Sequence, residues 1–191
     1  MPPKFKFSQK EIVDSAFEIV RRKGWRALST RSLADEMGSS ARPIYSYFAT
    51  MTELEEEIVK RAVDLLYTYM KRKRTDDPWI DHGIGYVMFA LKEKHLFRAI
   101  NDETHISFFK KYGDMIWATL TGSLSDYPGF QELSEEHIYK IQVTRWLFAH
   151  GLAYQACNPP PGTWNTKTIA AVMREGSLAI LDGLSRTFHE R

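Results

Sequence analysis

Helix start and stop signals recur along this chain with apolar residues three and four apart between them, and no segment shows the two-residue alternation of a strand. Ser8-Gln-Lys-Glu11 has the form of a capping box, in which the serine hydroxyl accepts from an amide three residues on while Glu11 reaches back. Ile12, Val13, Ala16, Phe17, Ile19 and Val20 then make one wide apolar face, and Lys23-Gly24 supplies a cationic last turn and a terminal glycine. A second helix of about two turns is expected from Ser29 or Thr30, with Leu33, Ala34 and Met37 inward and Gly38 as its stop. Ser39 and Ser40 offer caps for a third, residues 41–48, in whose first turn Pro43 loses least by lacking an amide hydrogen. Thr50-Met-Thr-Glu53 is a further capping box, opening a long helix that carries Leu54, Ile58, Ala62, Leu65, Leu66 and Met70 at helical spacing.

Beyond Asp76-Asp77-Pro78 the pattern predicts helices over 78–94, 95–101, 104–122, 134–157 and 166–188, separated by turn-like stretches such as Tyr127-Pro-Gly129 and Asn158-Pro-Pro-Pro-Gly162. The expected fold class is all-α, with about nine helices in all. An N-terminal three-helix domain with a helix-turn-helix occupies residues 1–50, a C-terminal helical bundle occupies 51–191, and the helix at 51–74 links them. A length of 191 residues allows two such regions but not several independent cores.

With 43% hydrophobic and 26% charged residues the chain is neither collagen-like nor disordered. The single Cys157 has no partner for an internal disulfide, and Met1-Pro-Pro-Lys-Phe-Lys-Phe passes into Ser8 without the apolar core of a signal peptide, so a cytoplasmic location is expected. No run approaches the roughly 18 apolar residues of a membrane span, so no membrane partner is expected. Net charge is only +2 but unevenly spread. Residues 1–74 hold 15 Lys and Arg against 10 Asp and Glu, whereas the remainder holds 11 against 14, which confines any phosphate contact to the first third.

Two short helices around a glycine-containing turn, Arg31-Ser-Leu-Ala-Asp-Glu-Met-Gly-Ser-Ser-Ala-Arg-Pro-Ile-Tyr45, match the geometry of a helix-turn-helix whose second helix enters the DNA major groove. Ile44 and Phe48 have the spacing to pack inward, leaving Ala41, Arg42, Pro43, Tyr45 and Tyr47 as a polar, basic and aromatic outward set. An ordinary helical hairpin shows the same pattern, and pattern alone does not choose between the two. Arg31 and Arg42 are the side chains able to pair bidentately with guanine, and Ala41 and Pro43 offer apolar contact to a thymine methyl. Lys4, Lys6 and Lys10 are candidates for nonspecific phosphate contact, with a solvated tail as the alternative. Lys71-Arg-Lys-Arg74 reads as a solvated helix end, where cations complement the helix dipole.

The stretch from Ser8 to Leu54 resembles the DNA-binding domain of the tetracycline-repressor (TetR) family: Gly24-Trp25 after the first helix, Leu28-Ser-Thr-Arg-Ser-Leu-Ala-Asp-Glu-Met-Gly38, Pro43-Ile-Tyr-Ser-Tyr-Phe48, then Thr50 to Leu54. The resemblance covers about a quarter of the chain; the rest is similar only in helical content and order. It implies phosphate contacts at Thr30 and Tyr45, an aromatic contact at Tyr47, and base-reading or groove-facing positions at Arg31, Ala41, Arg42 and Pro43, with Ser40 beside them. Where many members of that family carry a phosphate-holding lysine at the start of the fourth helix, this chain has Met51, leaving backbone amides of Thr50 to Glu53 to hold a phosphate there.

The resemblance further implies a homodimer on a palindromic double-stranded DNA operator, formed through the last two helices, where Gly151, Ala153, Gly176, Ala179 and Gly183 permit close approach. It also implies a small-molecule effector in an apolar pocket of the C-terminal region, for which Met88, Phe89, Phe108, Tyr112, Trp117, Trp146 and His150 are the candidates. The expected function is a DNA-binding transcriptional regulator, a repressor released or tuned by that effector, with the fourth helix as the lever. The alternative is a helical ligand-binding protein or enzyme with a vestigial N-terminal unit. No catalytic residue, cofactor or metal is expected. The six histidines never form His-Glu-x-x-His, Asp102-x-x-His105 lacks a second partner, Cys157 has no companion thiol, and Gly83-Ile-Gly85 has neither a third glycine nor a preceding strand.

Overall fold

The computed structural model describes residues 7–158, 160 and 163–189. Among these residues the chain is all-α, with nine α-helices, two 3₁₀ turns and no strand: α1 (Gln9–Lys23), α2 (Thr30–Glu36), α3 (Arg42–Tyr45), α4 (Met51–Lys71), α5 (Pro78–Lys92), α6 (Lys94–Ile100), α7 (Ile106–Gly122), α8 (Glu135–Cys157) and α9 (Thr166–His189). The 3₁₀ turns lie at Trp25–Ala27 and Pro128–Phe130.

Local chemistry accounts for most of the boundaries. Ser8 caps α1 by accepting from the Glu11 amide at 3.3 Å, and the Glu11 carboxylate accepts from the Ser8 amide at 2.7 Å, which holds that carboxyl below its usual range. Gly24 ends α1 at φ 83°, its amide donating to the Val20 carbonyl at 2.7 Å. Ser29, not Thr30, caps α2 by accepting from the Ser32 amide. The third helix is shorter than 41–48: no side chain caps its start at Ala41, and the Ser46 hydroxyl donates to the Pro43 carbonyl at 2.6 Å. Backbone bonds still carry the turn on, from the Tyr47 and Phe48 amides to the Ile44 carbonyl, as a tightened last turn. At α4 the Thr50 hydroxyl accepts from the Glu53 amide, but the Glu53 carboxylate takes the amide of Ala49 instead of closing the box on Thr50.

The chain divides into two compact units, residues 1–65 with 93–114, and residues 66–92 with 115–191. In the first, Ile12, Ala16, Phe17, Ile19 and Val20 of α1 are buried with Leu33, Ile44, Phe48, Leu54 and Ile58. In the second, α5 is buried along its whole length from Trp79 to Ala90, and helices α5, α8 and α9 pack on one another. Gly85 allows the last turns of α4 to approach α5, because a Cβ there would lie 2.3 Å from the Tyr69 carbonyl oxygen. Gly176 similarly faces the ring of Phe148, whereas Gly151 and Gly183 have open space where a Cβ would stand.

Arg74 departs from the solvated helix end expected of residues 71–74. Its guanidinium is half-buried and donates to the carbonyls of Tyr69 and Arg72, capping the C-terminus of α4, while its amide donates to Asp81.

Candidate nucleic-acid interface

The helix-turn-helix is built from short-range bonds. The Ser29 amide donates to the Ser32 hydroxyl, which in turn donates to the Ala27 carbonyl at 2.7 Å, and this fixes the direction in which α2 leaves the preceding turn. At the far end Gly38 adopts φ 58°, its amide donating to the Asp35 carbonyl and the Ser39 amide to the Ala34 carbonyl, the paired bonds of a Schellman stop. Nothing lies within 4 Å of a Cβ at Gly38, so backbone conformation alone asks for glycine there.

On this frame Leu33, Ala34, Ile44 and Phe48 are buried, as the spacing predicts. The remaining candidates lie at the surface: Arg31, Ser40, Arg42, Tyr45 and Tyr47 are exposed, and Thr30, Ala41 and Pro43 are half-buried. Tyr45 is 53% exposed. Its hydroxyl lies 3.0 Å from the Thr30 hydroxyl, so α2 and α3 present two hydroxyls at one point. Whichever hydroxyl accepts the bond between them keeps its own hydrogen free to donate to a phosphate oxygen. Neither Arg31 nor Arg42 enters an ion pair among the described residues. Lys10, by contrast, is held by Asp14 at 2.7 Å, while Lys4 and Lys6 lie outside the described residues. At the start of α4, Met51 is half-buried and the Glu53 amide is already engaged, so fewer amides face outward there than the sequence allows.

Sequence reasoning missed the contacts between the N-terminal helices and residues 93–114. Arg21 forks onto the buried Glu93 carboxylate, Nε at 2.7 Å and Nη2 at 2.6 Å. The Trp25 indole donates to the Ala99 carbonyl at 3.0 Å, and its ring stacks on His105 at 4.2 Å. The His105 Nε2 faces the Glu55 carboxylate at 3.4 Å. No local periodicity signals a pairing across some seventy residues.

The seven ligand candidates divide between the two units. Phe108 and Tyr112 belong to the first, where the Tyr112 hydroxyl donates to Glu56 at 2.9 Å. Met88, Phe89, Trp117, Trp146 and His150 belong to the second. There His150 Nδ1 lies 2.8 Å from the Tyr86 hydroxyl, and its ring is 5.4 Å from that of Trp146. Burial pushes the Tyr86 phenol up and the His150 imidazole down, so both stay neutral near pH 7. Phe89 is fully buried and Met88 nearly so, while Trp117 is half-buried. A cleft of about 670 Å³ between α1 and α4, around Asp14 and Arg61, and one of about 470 Å³ beside Asp77 and Tyr127 are lined by none of the seven. Among the described residues no group of three or more His, Cys, Asp or Glu could hold a metal ion, and no helix is long and apolar enough to cross a membrane.

Residues 12–58 match the family model of the bacterial regulatory proteins of the tetR family, a span that contains Thr30 through Tyr47. An uncharacterised HTH-type transcriptional regulator of Mycobacterium tuberculosis is 27% identical over 67 residues. That match covers 35% of this chain and 31% of the relative, so it spans about a third of either protein. The fold is shared with a TetR-like transcriptional regulator from Rhodococcus sp. RHA1, at a TM-score of 0.63 and 12% identity over 92% of this chain and 96% of that one. Residues 12–58, about a quarter of the chain, are thus similar to the bacterial regulatory proteins of the tetR family, and the helical fold is that of a TetR-like regulator.

Proposed function

We propose that the protein is a homodimeric repressor that binds a palindromic DNA operator in the cytoplasm and is tuned by a small-molecule effector held in its C-terminal helices. The observation that carries the DNA-binding part is the surface of α2 and α3. Paired Thr30 and Tyr45 hydroxyls position the protein on phosphate, and Arg31 and Arg42 stand exposed beside them to read base edges. Ala41 and Pro43 supply apolar contact in the groove, and Ser40 and Tyr47 border it.

Dimerisation is supported by an apolar stripe on α8, where Tyr139 (61% exposed), Leu147 (57%) and Tyr154 (69%) recur at spacings of eight and seven, and by exposed Leu178 on α9. A two-fold pair places two recognition helices about 34–36 Å apart, one turn of the duplex. The effector acts by population shift: it alters operator affinity only to the extent that it binds the two arrangements of the dimer differently. Nothing in the site calls for bond chemistry, and the protein is read as a binder and not an enzyme.

Fluorescence anisotropy on duplexes selected from a random pool tests the reading. Binding should be sequence-selective and weaken steeply as salt rises from about 50 to 200 mM. Equal affinity for selected and scrambled duplexes would overturn it.

A further inference from the structure

Four buried side-chain atoms lack a hydrogen-bond partner among the described residues, and three of them lie in the α5, α8 and α9 core: Trp79 Nε1, Arg145 Nε and Ser177 Oγ. Arg145 and Trp79 touch one another. The guanidinium carbon lies 4.8 Å from the Trp79 ring centroid, and Nη1 donates to the Trp79 carbonyl at 2.6 Å. Gly83 makes room for this group, since a Cβ there would lie 2.9 Å from Arg145 Nη1.

Arg145 is 8% exposed and enters no ion pair among the described residues. Asp77 is its favourable neighbouring charge, but the oxygens of that carboxylate are engaged elsewhere, Oδ1 by the Ile80 amide at 3.1 Å and Oδ2 by the Tyr127 hydroxyl at 2.9 Å. Burial pushes the guanidinium down to about 10, which leaves it a cation at neutral pH. A buried cation without a bonded counter-charge is unfavourable, a planar guanidinium matches a carboxylate, and the ring that this guanidinium covers carries a second unpartnered donor in its indole N–H. Around the Trp79 ring stand Tyr127 and Phe130, each with ring centroids 5.5 Å away, an apolar aromatic surround.

We propose that Arg145 and Trp79 form an anion-recognition site, and that the effector is a small carboxylate with an apolar or aromatic body whose acid group Arg145 Nε and Trp79 Nε1 hold. The identification of that anion as an effector rests on the ligand-responsive reading above; the site itself does not.

The test is thermal unfolding of the full chain, without DNA, in the presence of sodium acetate, sodium benzoate, neutral benzamide, or sodium chloride at matched ionic strength. Benzoate should raise the midpoint by several degrees, acetate by less, and benzamide and chloride should leave it unchanged. Trp79→Phe, which keeps an aromatic ring but removes the pyrrole half of the indole with its N–H, should cut the benzoate shift several-fold, and Arg145→Met should abolish it. Should Arg145→Met fail to fold by circular dichroism, Trp79→Phe carries the test alone. The proposal is overturned if neither carboxylate shifts the wild type, if benzamide or chloride matches benzoate, or if the shift survives in Trp79→Phe. Benzoate that shifts the midpoint but leaves operator affinity unchanged would support the site while removing its regulatory role.

Discussion

The Tyr45 hydroxyl meets that of Thr30 and has capacity for a second partner, and this separates its proposed role from that of Arg42. The Thr30 contact at 3.0 Å orients the phenol, and its remaining capacity faces outward, where a phosphate oxygen carries no sequence information. Tyr45→Phe is therefore expected to weaken binding to every duplex alike, by about 0.5–1.5 kcal/mol. Arg42→Ala should cost about 1–3 kcal/mol on the selected site and much less on a scrambled one. Anisotropy titrations of both variants on both duplexes check this; a uniform loss for Arg42→Ala would assign that side chain to phosphate. His82, buried in α5, sets a pH dependence. Burial, with Arg145 nearby, pushes His82 down to about 4 from an ordinary 6.5. The unfolded chain then binds the proton more readily than the folded one, so stability present above the unfolded value is lost as pH falls from 6.5 towards 4. The loss attributable to His82 is on the order of 2 kcal/mol. Urea unfolding at about pH 7 and about pH 4.5 should show a smaller difference in His82→Asn than in wild type, and equal differences would refute the assignment.

At the scale of elements, what the sequence makes legible is what is encoded within a few residues. The Ser8 and Ser29 caps, the glycine stops at 24 and 38, and the inward set of Leu33, Ala34, Ile44 and Phe48 are all local signals, and all stand as expected. The third helix was harder to bound, because the Ser46 hydroxyl competes for the backbone of its last turn, a contest that apolar spacing does not record. Contacts between distant segments carry no periodic signature: the Arg21 fork on Glu93, the Trp25 stack on His105 and the burial of Arg145 all depend on which helices meet. Gly38 offers a clean test of the local part. Because its surroundings are open and only its φ of 58° is special, Gly38→Ala should destabilise the protein by about 1–2 kcal/mol through backbone strain alone. A urea midpoint unchanged from wild type would show that the turn relaxes. Gly85→Ala should be costlier, since the added carbon would meet the Tyr69 carbonyl oxygen at 2.3 Å and backbone must move.

For the whole molecule, the proposed DNA-reading surface works together with that of a second copy of the chain. Leu147, 57% exposed in the middle of the α8 stripe, is the position at which a charge would oppose association most directly. Leu147→Glu is expected to give a monomer by light scattering at micromolar concentration, with an intact helical spectrum and a loss of operator affinity of at least tenfold, because the two half-sites no longer act together. A variant that stays dimeric would place the interface elsewhere. Thr30 through Tyr47 are proposed to read a duplex, and selection of bound sequences from random DNA, with Arg42→Ala carried in parallel, measures that reading itself. The wild type should enrich a two-fold-symmetric site whose half-sites lie about 34–36 Å apart, and Arg42→Ala should relax one position in each half. A bound pool indistinguishable from the input, for a correctly folded dimer in low salt, would contradict the account.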